Sequence, residues 1–99
     1  MTVYIIAELT IHDREEYGKY EVNFFDILNA HNGTLVSVDE DPQMLEGEWT
    51  ASRSVILSFA QRDAAIGWFS SNAYQNIAKH RRAASVGNIR LVDEFVMHT

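Results

Sequence analysis

Two arginines and two aromatic residues in the second half of the chain are of types that hold small anionic molecules. Arg53 begins an apolar segment, where its guanidinium could bind a carboxylate through two parallel hydrogen bonds. Arg81 follows Tyr74 by seven residues, which is two turns of a helix, so both side chains share one helix face. With Trp68 they could form an aromatic-walled pocket for an anion. The predicted ligand-binding residues are therefore Arg53, Trp68, Tyr74 and Arg81.

Each of these four residues also has a purely structural interpretation. Arg53 could form an ion pair with Glu46 or Glu48 across a turn. Arg81 could cover the edge of the core with its aliphatic stem and hold its charge in water or on a carboxylate. The two aromatic residues are of the types that dominate hydrophobic cores. The ligand-binding interpretation requires the two arginines to converge on one cavity. The structural interpretation requires each of them to form an ion pair with a nearby acid.

His31 is the histidine best placed for chemistry, because it ends a predicted helix. A helix C-terminus favours the charged imidazole and offers it free carbonyl groups, which would be a structural role. Alternatively, His31 is a general base or a haem ligand. His12 and His98 are expected at the surface near strand ends. The histidines lack metal-site spacing and the acids lack a calcium-binding pattern, so we predict no metal and no cofactor.

Composition excludes several classes of protein. The absence of cysteine excludes disulfides, thiolate catalysis, zinc–thiolate sites and iron–sulfur clusters. A net charge of -6 argues against nucleic acid and anionic membranes as partners. No segment is apolar over a length that could cross a bilayer, and the first ten residues do not resemble a signal peptide. We therefore expect one domain over residues 1–99 in the cytoplasm.

Apolar periodicity predicts the elements that must position these residues. They are, in chain order, a strand over 3–11, a helix over 14–31, a strand over 34–38, a short extended segment over 44–49, a strand over 53–59, a helix from residue 62 or 63, a helix capped by Ser71 or Asn72, and a strand over 86–98. Asp13 is the expected N-cap of the first helix and Gly33 its left-handed C-cap. The βαββαβ order predicts an α+β, ferredoxin-like fold with helices on one face of the sheet.

The predicted strands carry apolar residues on both faces. Ile6, Ile56 and Val92 alternate with other apolar residues, so they must lie on the face that the helices do not cover. A large exposed apolar face is unusual on a monomer. The sequence therefore predicts a homodimer in which a second copy covers this face.

Several ordered segments carry a resemblance to a known family. They are Leu45–Trp49, Arg53–Phe59, Ala65–Ser71, Tyr74-Gln75 and Arg81. In type and order they resemble the family called domain of unknown function 1330, within the dimeric α/β-barrel superfamily. The resemblance extends over nearly the whole chain. It implies a ferredoxin-like fold and a dimer whose two sheets face each other, but no established reaction.

The wider superfamily includes cofactor-independent monooxygenases, haem-degrading enzymes, muconolactone isomerases and proteins without known activity, so the fold alone does not select a function. One hypothesis is a cofactor-independent oxygenase or isomerase for a small anionic or aromatic molecule. In that enzyme His31 or Glu46 would transfer protons. The alternative is a dimeric ligand-binding or structural module without catalysis. Haem binding through His31 is a third hypothesis.

Overall fold

Four antiparallel strands form one sheet in the computed structural model, which describes residues 1–97. The elements are, in chain order, β1 (Val3–Ile11), α1 (Arg14–Ala30), β2 (Thr34–Asp39), β3 (Arg53–Phe59), α2 (Arg62–Ser70), α3 (Asn72–Ala84) and β4 (Ser85–Asp93). The strands lie in the order β2-β3-β1-β4, and each neighbouring pair is antiparallel. This arrangement confirms the predicted α+β, ferredoxin-like fold. None of the helices within residues 1–97 is long and apolar enough to cross a membrane.

Local capping residues start two of the helices as predicted. The Asp13 carboxylate accepts a hydrogen bond of 3.1 Å from the backbone N–H of Glu16 at the start of α1. The Ser71 hydroxyl accepts one of 3.1 Å from the backbone N–H of Tyr74 at the start of α3. Each bond satisfies a backbone donor that has no partner within its own helix, which stabilises the helix start.

The chain leaves α1 through Asn32 and not through the predicted left-handed Gly33. Asn32 has a φ of 61°, whereas Gly33 does not have a positive φ. Gly33 is instead required for space, because a Cβ at this position would meet the Leu28 side chain and lie 2.7 Å from the Phe59 ring. The prediction was wrong because asparagine also tolerates the left-handed region, while the buried packing around Gly33 is not visible in local sequence.

The predicted extended segment at 44–49 is also wrong, because these residues lie in the loop between β2 and β3 and pair with no strand. Both sides of β3 are already occupied, by β2 and by β1. Gly47 further interrupts an extended path with a φ of 84°. The last strand ends at Asp93, earlier than predicted, and His98 lies outside the described residues.

The core lies between the sheet and the helices. Alternate residues of β1 from Val3 to Leu9 are buried against Leu57 and Phe59 of β3 and against aromatic residues of the helices. We call the other side the open face. There Ile6 is paired with Ile56 and Tyr4 with Val92, and these four side chains are only half-buried. No element within residues 1–97 covers them, as expected for a sheet with helices on one side.

An irregularity in the edge strand β2 fixes which of its side chains face the helices. Leu35 pairs with Leu57 and Val38 with Val55, although these β2 residues are three apart and their β3 partners two apart. Val36 is therefore the extra residue of a β-bulge. The bulge places both Leu35 and Val38 on the helix-covered face, which regular alternation would not allow.

Candidate ligand-binding cavity

A cavity of about 250 Å³ lies between the helix-covered face of the sheet and α1, α2 and α3. Its inner wall is formed by buried side chains, including those of Ile5, Leu9 and Leu57. Other lining residues are partly exposed, with Phe25 54% and Val38 48% accessible. Since these exposed residues lie on α1 and β2, the cavity opens between α1 and the edge of the sheet. Its walls are predominantly apolar, as in most small-molecule sites.

All four residues predicted to bind a ligand line this cavity. Arg53 enters from the start of β3 and Trp68 from α2. Tyr74 and Arg81 lie two turns apart on α3, so both project from the same side of that helix. Trp68 and Tyr74 pack with ring centroids 4.1 Å apart and form an aromatic wall. The structure thus brings together side chains from three consecutive elements, β3, α2 and α3, around one cavity.

Arg81 is a buried cation without a carboxylate partner. Only 9% of its surface is exposed, and no acid of residues 1–97 forms an ion pair with it. Its guanidinium carbon lies 5.9 Å from the centroid of the Tyr20 ring, a geometry that partly compensates the charge. A buried charge without an opposite charge is strongly unfavourable, so an anion bound beside Arg81 would be stabilised by its guanidinium.

Three residues that line the cavity each carry an N–H group without a hydrogen-bond acceptor within the part of the chain described. The nitrogens are Arg53 Nε, Trp68 Nε1 and Arg81 Nε, and all three atoms are buried. Buried donors are nearly always paired in folded proteins, because an unpaired donor loses its bond to water without replacement. A molecule with acceptor oxygens would satisfy donors of this kind.

Arg53 differs from Arg81 because it already binds two carboxylates. Its terminal nitrogens lie 2.9 Å from Glu21 and 3.3 Å from Glu40, and Glu40 also pairs with Arg14 at 2.8 Å. These partners replace Glu46 and Glu48, which the sequence suggested for an ion pair. Burial alone would lower the pKa of Arg53, but the hydrogen bond to Glu21 and the nearby charges raise it above its usual value. The hydrogen bond from Arg14 lowers the pKa of Glu40.

A pair of tyrosine hydroxyls forms the other polar feature of the cavity wall. The Tyr20 and Tyr74 oxygens lie 3.0 Å apart in a buried position. Burial, reinforced by Tyr74, raises the pKa of Tyr20 well above its usual value, so this hydroxyl keeps its proton. Only one of the two hydroxyl hydrogens is used in the shared bond, because one group donates and the other accepts. The second hydrogen remains able to donate to another acceptor.

The two residues predicted to transfer protons do not line the cavity. His31 Nδ1 lies 3.0 Å from the carbonyl oxygen of Ile27, which is the structural role expected at the end of α1. Glu46 lies exposed in the loop between β2 and β3. Among residues 1–97, no group of three or more histidines and acids is arranged to hold a metal ion.

Sequence reasoning selected none of the five residues of α1 that line the cavity, which are Tyr17, Tyr20, Glu21, Phe24 and Phe25. Tyr17 and Tyr20 are also buried in the hydrophobic core, so their residue type alone does not distinguish a cavity wall from ordinary core packing. One signal was available: Glu21 follows Tyr17 by four residues, so it lies on the same helix face as the tyrosine. An acid at the border of an aromatic stripe indicates that this part of the stripe is reached by solvent.

The fold and the cavity define a ferredoxin-like α+β protein with an apolar site that opens between α1 and the edge of the sheet. The chain belongs to the family described as domain of unknown function (DUF1330), whose pattern matches residues 2–95. This assignment confirms the resemblance drawn from the sequence. A comparison with curated proteins gave no match.

Solved structures with the same fold include proteins with and without a described activity. A protein of unknown function from Rhodopseudomonas palustris superposes with a TM-score of 0.81 at 15% identity, covering 97% of this chain and 84% of that one. SnoaB, a cofactor-independent oxygenase from Streptomyces nogalater, gives 0.60 at 15% identity, covering 97% and 95%. A dimeric protein of unknown function and ferredoxin-like fold from Bacteroides fragilis gives 0.59 at 14%, covering 94% and 96%. At these identities the similarity shows the fold alone.

Proposed function

We propose that the protein binds a small, largely aromatic molecule that carries a carboxylate or phenolate group, inside the cavity between the sheet and the helices. The observation that carries the proposal is Arg81, a buried arginine at the cavity without an acid partner among residues 1–97. The anionic group of the ligand would pair with this guanidinium and compensate its charge.

The other features of the cavity support the same ligand chemistry. The indole N–H of Trp68 and the spare hydroxyl hydrogen of the Tyr20–Tyr74 pair are donors, so they suit acceptor oxygens on the ligand. The aromatic wall and the apolar strand residues suit a ring system. A cavity of about 250 Å³ has room for roughly one or two fused rings, because larger drug-like ligands occupy clefts of 300 Å³ or more.

Ligand binding is tested first with the protein purified from its own host. Native mass spectrometry before and after denaturation would reveal a bound small molecule and its mass. Binding of benzoate is then compared with that of neutral benzamide in the wild type, Arg81→Met and Arg82→Met. Methionine retains much of the aliphatic stem but removes the charge, and Arg82 is an exposed neighbour that does not line the cavity.

We expect Arg81→Met to weaken benzoate binding about 10- to 100-fold, as is typical when a charge-assisted hydrogen bond is lost, and Arg82→Met to leave it unchanged. Benzamide should bind the wild type more weakly than benzoate. Equal benzoate affinity in the wild type and Arg81→Met, with both variants folded, would contradict the proposal.

We further propose that two copies of the chain pair through the open face of the sheet. The half-buried Ile6, Ile56 and Val92 support this pairing, as does the dimer described for the Bacteroides fragilis protein of the same fold. Ile56→Asp should convert the dimer to a monomer or unfold it, because a charge buried in an apolar interface costs several kcal/mol. Ile66→Asp, on the exposed side of α2, is the matched control. A wild-type monomer in light scattering would contradict the pairing.

A catalytic role is the second candidate function, favoured by the similarity in fold to the cofactor-independent oxygenase SnoaB. Against it, no histidine of the described residues lines the cavity, and its one acid, Glu21, is held by Arg53. The test is oxygen uptake and product formation once the natural ligand is known, followed by His31→Ala and Glu46→Gln. Consumption of ligand without oxygen uptake would favour isomerisation, and an unchanged ligand would favour the non-catalytic module.

A further inference from the structure

Among residues 1–97, the charged side chains that line the cavity sum to one positive charge. They are Arg53, Arg81 and Glu21, which contribute two positive charges and one negative charge. Arg14 and Glu40 extend the same network towards solvent, and their charges cancel. The cavity is therefore matched to a ligand with a single negative charge, a condition that depends on the carboxylate of Glu21.

Glu21 holds Arg53 at the entrance of the cavity. Its carboxylate lies 2.9 Å from the guanidinium, and about half of the Glu21 side chain is exposed, whereas the Arg53 side chain is 11% exposed. A second anionic group on a ligand would have to displace Glu21 from Arg53 or lie close to its carboxylate. Both arrangements are unfavourable, because the first breaks an existing ion pair and the second places like charges together.

We infer that Glu21 is a specificity-determining residue that selects aromatic monoanions over dianions by occupying Arg53. This inference rests on the proposed ligand-binding function. It adds that Arg81 alone receives the anionic group, while Arg53 belongs to the wall. The charge of Glu21, and not its shape, carries the selection.

The test compares benzoate with isophthalate, which adds a second carboxylate to the same ring. Titrations are followed by the indole N–H resonances of the protein in nuclear magnetic resonance spectra. Trp68 lines the cavity with an unpaired indole nitrogen, and Trp49, which does not line it, is the internal reference. The variants are Glu21→Gln and, as a matched control on the same helix, Glu15→Gln, whose site does not line the cavity.

We expect the wild type to prefer benzoate, and Glu21→Gln to shift the affinity ratio about tenfold towards isophthalate, since removing one charge near the site changes the interaction with the second carboxylate. Glu15→Gln should keep the wild-type ratio. The double variant Arg53→Gln with Glu21→Gln leaves Arg81 as the one charged lining residue among residues 1–97 and should restore the preference for benzoate.

The outcomes separate this inference from the proposed function. If the wild type binds benzoate but Glu21→Gln leaves the ratio unchanged, the role of Glu21 is refuted and the ligand-binding site stands. If neither anion shifts the Trp68 resonance in the wild type or in any variant, the aromatic anion site itself is refuted. Because Glu21 is exposed, its replacement by glutamine should leave the fold intact, which the unchanged Trp49 resonance would show.

Discussion

The buried hydroxyl pair of Tyr20 and Tyr74 allows a quantitative test of how the cavity wall is held together. The two oxygens lie 3.0 Å apart between α1 and α3, and both residues are almost completely buried. Replacing either tyrosine by phenylalanine removes one hydroxyl and leaves the other without its partner. Replacing both removes the polar pair altogether, so the remaining rings form an apolar contact.

The expected free energies follow from this asymmetry. A net hydrogen bond contributes about 1 kcal/mol, and an unpaired buried hydroxyl costs about 1–3 kcal/mol, so each single variant should lose about 1–2 kcal/mol. The double variant should lose about the same as one single variant, which gives a coupling energy of about 1–2 kcal/mol in magnitude. For a domain of this size, each kcal/mol corresponds to a shift of roughly 4–8 °C in Tm.

The assay is urea unfolding of the wild type, Tyr20→Phe, Tyr74→Phe and the double variant at one protein concentration, since oligomerisation would make stability depend on concentration. Tyr4→Phe is the control for loss of a tyrosine hydroxyl outside the cavity. Tyr4 is half-buried on the open face, and its hydroxyl forms no hydrogen bond with another of the residues 1–97. Strictly additive losses in the double variant would refute the reasoning. Additivity would mean that each hydroxyl finds another partner, such as water in the cavity.

Two further predictions concern pH and backbone conformation. Burial raises the pKa of Tyr20 above 10.0 in the folded protein, so the unfolded state loses this proton at a lower pH than the folded state. The free energy of unfolding should therefore be unaffected by Tyr20 below pH 10.0 and should fall as the pH rises towards the folded pKa. In urea unfolding, Tyr20→Phe should show a smaller fall over the same pH range. Gly33→Ala should cost about 1–3 kcal/mol, since a Cβ there overlaps Leu28 and Phe59. Asn32→Gly, one residue earlier, should change stability by less than about 1 kcal/mol, because glycine adopts the left-handed conformation freely; a larger loss in Asn32→Gly than in Gly33→Ala would contradict this assignment.

The fold could be predicted where its causes are local in sequence. The helix caps require information from only a few neighbouring residues: Asp13 was predicted as the cap of α1 and Ser71 or Asn72 as the cap of α3, and the structure has Asp13 and Ser71 in these positions. The segment at 44–49 failed because its apolar residues suggested a strand, whereas a strand also needs a partner. Both sides of β3 were already occupied in the folded sheet, and no short segment of sequence carries that information.

The cavity could be predicted in its residue types but not in its charge pairing. Arg53, Trp68, Tyr74 and Arg81 were selected for their chemistry, and the fold places them around one cavity. The partner of Arg53 was sought within a few residues, but Glu21 is 32 positions away. Ion pairs of this kind are set by how α1 packs on β3, so they follow from the tertiary structure and not from spacing.

The bulge in β2 also bears on how copies of this protein associate. A regular edge strand offers an unbroken row of backbone donors and acceptors, which invites strands of other molecules to add to the sheet. Val36 interrupts that row at the outer edge of β2. Edge-to-edge growth into an extended sheet is thereby discouraged on this side, and removal of Val36 should straighten the edge and increase aggregation. A feature that orients two apolar side chains towards the cavity thus also disfavours growth of the sheet at its β2 edge.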